Sequence, residues 1–343
     1  MAGRAITGSG LRTAAEIIQQ HTAIDATHES ANDMYTPRCT PGTRKEVIAD
    51  IIKWAEEAET SSPIAWLSGP AGGGKTSVQR DVATHLQLDY CDSGRLAATY
   101  FFSSQLASQA EKLDTIQPFI ATIAYQMSAS ISGLREYIED AVARDPLVFE
   151  KGVAVQARKV LMDPLNAWRK NIQAQEILLQ TISIDGFDEI KSHQDRGQLL
   201  HTVRQLSLFE PFPLRFIISS RPEPDLTEIF ALPMFSRIVT HIRLEIYKAD
   251  HDVRLCLKEA FARIQATHPA KALLTNWPTE EDIETLVWKS SGQFIYPATV
   301  IRFVNNRQRN PVDLLWQVLH MEGRRNQPEP LASLYNLYSM ILA

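Results

Sequence analysis

Cysteine is scarce in this chain: Cys39, Cys91 and Cys256 are the only three in 343 residues, and no two stand at CxxC spacing. So odd and scattered a set excludes a disulfide framework and a cysteine zinc site, and fits reduced thiols in the cytoplasm. Basic residues do not outnumber acidic ones: Lys plus Arg total 35 against 40 for Asp plus Glu, a net charge of −5. No basic field is available to neutralise a run of phosphodiesters, which excludes nucleic acid as the expected partner. Long apolar runs are also missing. Residues 1–18 lack the apolar stretch of a secretion signal. The most apolar late stretch, residues 286–304, is broken by Lys289, Ser290, Ser291, Gln293 and Arg302, and so falls short of the ~20 residues of a membrane span. Neither H-E-x-x-H nor G-x-S-x-G occurs, which removes the zinc-protease and serine-hydrolase readings. No internal repeat or low-complexity tract is visible.

What is present is the composition of a folding chain, 44% hydrophobic and 22% charged. Its length, more than twice the ~150 residues of a usual domain, predicts two compact units. Residues 1–36 read as a polar leader or linker, with one short helical stretch at 14–21 and too little apolar periodicity for a core. At Pro41-Gly42-Thr43-Arg44-Lys45-Glu46 a turn meets a predicted capping box between Thr43 and Glu46. Val47, Ile48, Ile51, Ile52 and Ala55 then stripe one helix face. Five β-prone runs follow, at residues 64–68, 96–102, 178–184, 214–219 and 239–246, separated by helical patterns such as Val78/Val82/Leu86 and Ile116/Phe119/Ile120/Ile123. Near-continuous apolar strands alternating with helices predict an α/β unit, a parallel sheet covered on both faces, over residues 37–248. Helical patterns alone fill residues 249–326, and residues 327–343 begin a further amphipathic helix at Leu331 after Pro328 and Pro330. The tryptophans and Tyr100-Phe101-Phe102 read as core.

The strongest chemical signal is Gly69-Pro70-Ala71-Gly72-Gly73-Gly74-Lys75-Thr76, which fits G-x-x-x-x-G-K-[ST] between an apolar strand and a helix. Glycines allow backbone N–H groups to close round a phosphate, and the helix that begins at Lys75, Thr76 and Ser77 offers its positive end. Lys75 is expected to bridge the β- and γ-phosphates, with Thr76 on Mg²⁺. The second signal is the strand that ends in Asp185-Gly186-Phe187-Asp188-Glu189: Asp185 is placed in the Mg²⁺ shell, and either Asp188 or Glu189 orients an attacking water. The third is Phe216-Ile217-Ile218-Ser219-Ser220-Arg221-Pro222, whose Arg221 could reach a γ-phosphate. The guanine-reading N-K-x-D is absent, which on comparison with GTPases favours adenine.

With these motifs in this order the chain resembles the NACHT branch of the STAND P-loop NTPases, in the fungal form with a nephrocystin-3-like N-terminal domain. The stretches that carry the likeness are Cys39-Thr40-Pro41-Gly42-Thr43-Arg44, Ile64-Ala65-Trp66-Leu67-Ser68, Asp185-Gly186-Phe187-Asp188-Glu189, Ser220-Arg221-Pro222-Glu223-Pro224 and Ser291-Gly292-Gln293-Phe294-Ile295-Tyr296. The resemblance implies a core sheet ordered 5-1-4-3-2, a helical lid over residues 249–326, and then a winged-helix domain of which residues 327–343 are the opening. It also implies a switch held closed by ADP and opened by ATP for assembly in innate-immunity-like or incompatibility signalling. In such proteins a winged-helix histidine contacts ADP, a contact not expected here. Pro297 stands where a small lid residue is expected, and a proline within a helix predicts a kink.

Three functions are carried forward. One is a slow Mg²⁺-dependent ATPase switch using Lys75, Thr76, Asp185 and one of Asp188 or Glu189. Another is a non-catalytic nucleotide-binding module that assembles with copies of itself or longer relatives through the NTPase core. The third, a different P-loop enzyme such as a kinase, lacks a visible acceptor site.

Overall fold

Each of the five apolar runs forms a strand, and in the first of them successive side chains enter different cores. In the computed structural model, which describes residues 12–30, 39–57, 62–87, 94–104, 114–172, 179–320, 335 and 337–339, the elements run as follows. Helix α1 (Ala14–His21) and α2 (Lys45–Glu56) precede β1 (Ile64–Ser68), α3 (Lys75–Gln87) and β2 (Leu96–Phe101). Helices α4 (Phe119–Ser130), α5 (Arg135–Arg144), α6 (Val153–Gln156) and α7 (Asp163–Asn171) follow, with a π-helical turn at Ala157–Met162 between the last two. Then come β3 (Gln180–Asp185), α8 (His193–Ser207), β4 (Leu214–Ser220), α9 (Pro224–Ala231), α10 (Pro233–Ser236) and β5 (Val239–Arg243). After β5 come α11 (Asp250–Thr267), α12 (Glu280–Ser290), α13 (Ile295–Val304) and α14 (Pro311–Leu319).

The strands pair in parallel in the order β2-β3-β4-β1-β5, which is 5-1-4-3-2 read from the other edge. Ile64 and Trp66 of β1 join a core with α1, α4, α5 and α8, whereas Ala65 and Leu67 join a second core with α2 and α3. The sheet is therefore covered on both faces, as its apolar strands require. A third cluster is built from α11 to α14, with Val253, Leu257, Phe261, Leu286, Val300 and Leu314 among its buried members.

Arg215 of β4 shows how the sheet and α2 are joined. It points into the α2 face, lies over the Trp54 ring, and its guanidinium donates to the carbonyls of Trp54 and Glu57 at the C-terminal end of α2. Burial lowers its pKa to about 10, yet the orphan carbonyls of the helix end are satisfied. Arg215→Met keeps most of the packing stem and removes both charged donors. It is expected to cost about 2 kcal/mol in urea unfolding, the scale of a hydrogen bond to a charged group.

Several expectations change. The segment read as a leader is docked over its described part: Ile17, Ile18, Ala23 and Ala26 are buried in the main core, and the Ala23 N–H donates to Thr122 Oγ1 at 2.9 Å. Four small or branched residues are too few to show a period, but they fill a groove beside α4 and α5. The Thr43/Glu46 capping box does not form. Thr43 Oγ1 instead donates to the Thr40 carbonyl at 2.7 Å, and α2 starts after Arg44, which is left-handed at φ 55°. The last strand ends at Arg243, because Leu244 turns onto the loop after β1 and lies against Gly69 and Gly73. Pro297 makes no kink: it occupies the first turn of α13, where no helical N–H partner is needed, and the helix continues to Val304. Trp288 and Trp316 are 78% and 59% exposed, so they are surface residues, while Trp66 and Trp168 are core. Cys91, Leu178 and the start of the helix expected from Leu331 lie outside the described residues. Leu337, within that stretch, is buried in the third cluster.

Candidate functional site

The parallel strands all end on one side, which is where a ligand crevice forms in an open α/β sheet. Gly69 to Gly74 turn from β1 into α3, closed by the Gly73 N–H on the Pro70 carbonyl at 3.2 Å and by the first helical bond, Val78 N–H to the Gly74 carbonyl at 3.0 Å. Gly72 has φ 71°, and a Cβ there would stand 2.4 Å from Ile295 Cγ2, so both backbone and space require glycine. Pro70 and Ala71 form the outer tip, and Lys75, Thr76 and Ser77 form the first turn of α3. A helix of this length presents a positive end to the loop.

Lys75 folds back over the loop and donates to the Gly69 and Pro70 carbonyls at 2.8 and 3.0 Å. Burial lowers its pKa, opposed by Asp188 and Asp185. Strand β4 lies between β1 and β3, and its end brings Ser219 to Asp185, whose Oδ1 accepts from the Ser219 hydroxyl. The other oxygen, Oδ2, accepts from Thr76 Oγ1 at 2.7 Å. A buried carboxylate beside a hydroxyl on a helix N-terminus is a hard oxygen donor set that suits Mg²⁺. Burial also raises the Asp185 pKa, only partly offset by its hydroxyl donors, Lys75 and Arg80. A carboxyl whose pKa is higher in the fold than unfolded costs stability increasingly as pH rises between those two values, and fully above them. Asp185→Asn is therefore expected to raise the melting temperature of the ligand-free protein at neutral pH while removing the Mg²⁺ dependence of ligand binding. Thermal unfolding and a titration with and without Mg²⁺ check the two halves separately.

Past Asp185 the chain turns at Gly186, φ 67°, into a short helical turn that separates the next two acids. Asp188 is engaged on both oxygens: Oδ2 pairs with Arg221 Nε at 2.9 Å and Oδ1 accepts the Arg221 N–H at 2.9 Å. Glu189 faces the end of β2, where one oxygen, Oε2, accepts both the Ser104 N–H at 2.6 Å and its hydroxyl at 3.0 Å. The sequence left the two acids equivalent; the geometry separates them. Arg196 of α8 supports the turn by donating to the Ile190 and Asp188 carbonyls.

The predicted phosphate-loop, acidic and arginine residues are thus brought to one edge of the sheet. Residues not foreseen there are Ser104, Ser219 and Arg196. Ser219 was readable from its place at the end of an apolar strand, whereas Ser104 and Arg196 carry no local signal.

The family model described as nephrocystin 3, N-terminal, matches residues 42–221, more than half of the chain, from the turn before α2 to the arginine that pairs with Asp188. The chain belongs to the nephrocystin 3 N-terminal family. The matched span of this nephrocystin 3 N-terminal domain holds the phosphate loop and the acidic strand end, and the helices from α11 onward lie beyond it. No curated protein matches the chain. Among solved structures it is similar to the Walker-type ATPase PABY2304 of Pyrococcus abyssi, at 14% identity and a TM-score of 0.49, covering 90% of this chain and 75% of that one. It is also similar to C. elegans PCH-2, at 11% identity and a TM-score of 0.39, covering 86% and 67%. At these values neither likeness assigns an activity to this chain. No described helix is long and apolar enough to cross a membrane.

Proposed function

We propose that this chain is a Mg²⁺-dependent, slowly hydrolysing ATPase of NACHT and STAND type, a cytoplasmic signalling switch of the NLR-like kind used in fungal immunity or incompatibility. The observation that carries this reading is the hydrogen bond from Thr76 to Asp185, which joins the end of the phosphate loop to the acidic strand end beside Lys75. Residues 69–77 would cradle the phosphates with backbone N–H groups, and Thr76 and Asp185 would hold Mg²⁺. Bound Mg²⁺ supplies charge neutralisation on the phosphates. Lys75 turns its ammonium from the loop carbonyls to the β- and γ-phosphates. Glu189, anchored through Oε2 on Ser104, orients a water with its other oxygen, and Asp188 positions Arg221 toward the γ-phosphate. ADP binding through the same loop gives the second state of the switch. Adenine is the base expected without N-K-x-D. Turnover is slow because no arginine from a partner is supplied, a group worth ~10³ to 10⁵ in rate where it acts.

The second reading, a non-catalytic nucleotide-binding module that assembles with copies or relatives, is favoured by the closed Asp188–Arg221 pair, which leaves Arg221 engaged within the chain. One preparation separates the two: identify the nucleotide released on denaturation, then follow phosphate release and solution mass with added ATP. Phosphate release that exceeds Lys75→Ala supports the switch. Retained ATP with a rise in mass and no release supports the module, and a chain that takes up neither ATP nor ADP contradicts both.

A further inference from the structure

Two of the sequence stretches singled out above, Cys39 to Arg44 and Ser291 to Tyr296, take no part in the chemistry just described, yet both end on the phosphate loop. Arg44 is 5% exposed. Its Nη2 donates to the Gly73 carbonyl at 2.7 Å, its Nη1 to the Tyr247 carbonyl at 3.5 Å, and its guanidinium lies 4.8 Å over the Phe294 ring. Its own backbone N–H donates to Asp252 Oδ2 in the first turn of α11 at 2.9 Å. From the other stretch, the left-handed pair Ser291 and Gly292, at φ 47° and 76°, turns the chain back so that the Ile295 N–H donates to the Gly72 carbonyl at 3.3 Å. Two successive loop carbonyls are thus gripped from outside the loop, one by Arg44 and one by the start of α13.

The direction of that grip has a consequence for the inside of the loop. In a trans peptide the C=O of one residue and the N–H of the next point opposite ways. A Gly73 carbonyl held outward by Arg44 therefore fixes the Gly74 N–H on the opposite side, the side on which a cradle needs its donors. Arg44 also occupies a left-handed backbone conformation that glycine adopts at no steric cost. A charged side chain at such a position, buried and in contact with three separate segments at Gly73, Tyr247 and Phe294, points to a role that glycine could not fill.

We propose that Arg44 is a positioning residue for phosphate binding: it acts through the backbone of the phosphate loop, and through Asp252 and Phe294 it ties the shape of that loop to the seating of the helices from α11 onward. The proposal rests on the loop being a nucleotide site. Arg44 adds a device by which a shift of the helical unit, which would withdraw Asp252 and Phe294, loosens the grip on Gly73 and lowers affinity for any polyphosphate, whatever base it carries.

The test uses the full chain and two probes in Mg²⁺, ATP and inorganic tripolyphosphate, with affinities from equilibrium titration. Arg44→Gly, which suits the left-handed backbone, is expected to fold with a lowered melting temperature, since two carbonyl bonds and the Phe294 contact are lost, and to bind both probes more weakly by the same factor, about tenfold, the scale of one charged hydrogen bond. Asp252→Ala leaves Arg44 in place and unhooks its backbone from α11; it is expected to weaken both probes together, and it decides the matter if Arg44→Gly does not fold. Unchanged affinities in the folded variants would overturn the proposal, as would a loss confined to ATP, which would put Arg44 on the nucleoside. A wild-type chain that binds neither probe contradicts the nucleotide site itself, an outcome that needs no substitution and is distinct from the others.

Discussion

Glu189→Gln is expected to lower ATP turnover by about 10² to 10⁴, the range for loss of a general base, while Mg·ATP stays bound. The reason lies in the different partners of the two acids after Asp185. Asp188 has both oxygens on Arg221, one on the side chain and one on the backbone N–H, so its lone pairs are committed to positioning an arginine. Glu189 spends a single oxygen on the two donors of Ser104. Glutamine can still accept from Ser104 through its carbonyl, so the turn after β3 keeps its anchor and only the basic oxygen is lost. Asp188→Asn differs: it releases Arg221 and is expected to act on ATP affinity as well as rate. Single-turnover phosphate release separates the cases. Glu189→Gln at the wild-type rate would remove Glu189 from the chemistry and return the water-orienting role to Asp188.

Lys75→Ala is expected to abolish the rise in melting temperature that ATP gives the wild type, without lowering the melting temperature of the ligand-free chain. Lys75 carries a partly buried ammonium whose direct hydrogen bonds in the described structure are to two carbonyls, those of Gly69 and Pro70. Burial penalises it, as the direction of its pKa shift records, so its removal relieves a desolvation cost in the free protein. With a polyphosphate in the loop the same ammonium would meet full negative charge. Truncating one partner of such a pair costs about 2 to 5 kcal/mol, roughly 30- to 5000-fold in affinity. Thermal unfolding with and without ATP reads both halves at once. A variant that is destabilised without ligand yet still stabilised by ATP would mark Lys75 as structural.

The elements that were legible in the sequence are those set by local pattern. The runs at Ile64–Ser68 and Leu214–Ser220 are apolar over their whole length because both sheet faces are covered, and the spacing of Val78, Val82 and Leu86 follows from one buried helix face. The loop, the acids and Arg221 were found because strand ends and glycines carry their own signature. The misses have in common partners far along the chain. Arg44 reaches residues 29, 203 and 208 positions away, which no local rule for a helix start contains, and its bond to Asp252 replaces the capping box that Thr43 and Glu46 would have made. Ser104 meets Glu189 across 85 residues, only because β2 and β3 are neighbours. Likewise, Ile17 and Ile18 are buried by a groove that exists only once α4 and α5 have packed. Pro297 was misread for a different reason: its effect depends on its position within the helix, and that start was set by the left-handed Ser291 and Gly292.

The central claim is that ATP binds with Mg²⁺ at the loop between β1 and α3. Calorimetric titration of Mg·ATP into the full chain, side by side with Lys75→Ala, tests it most directly. The expected result is saturation at one nucleotide per chain in the wild type, with the heat lost in Lys75→Ala. Equal binding by both proteins, or no binding of ATP or ADP by the wild type, would contradict it.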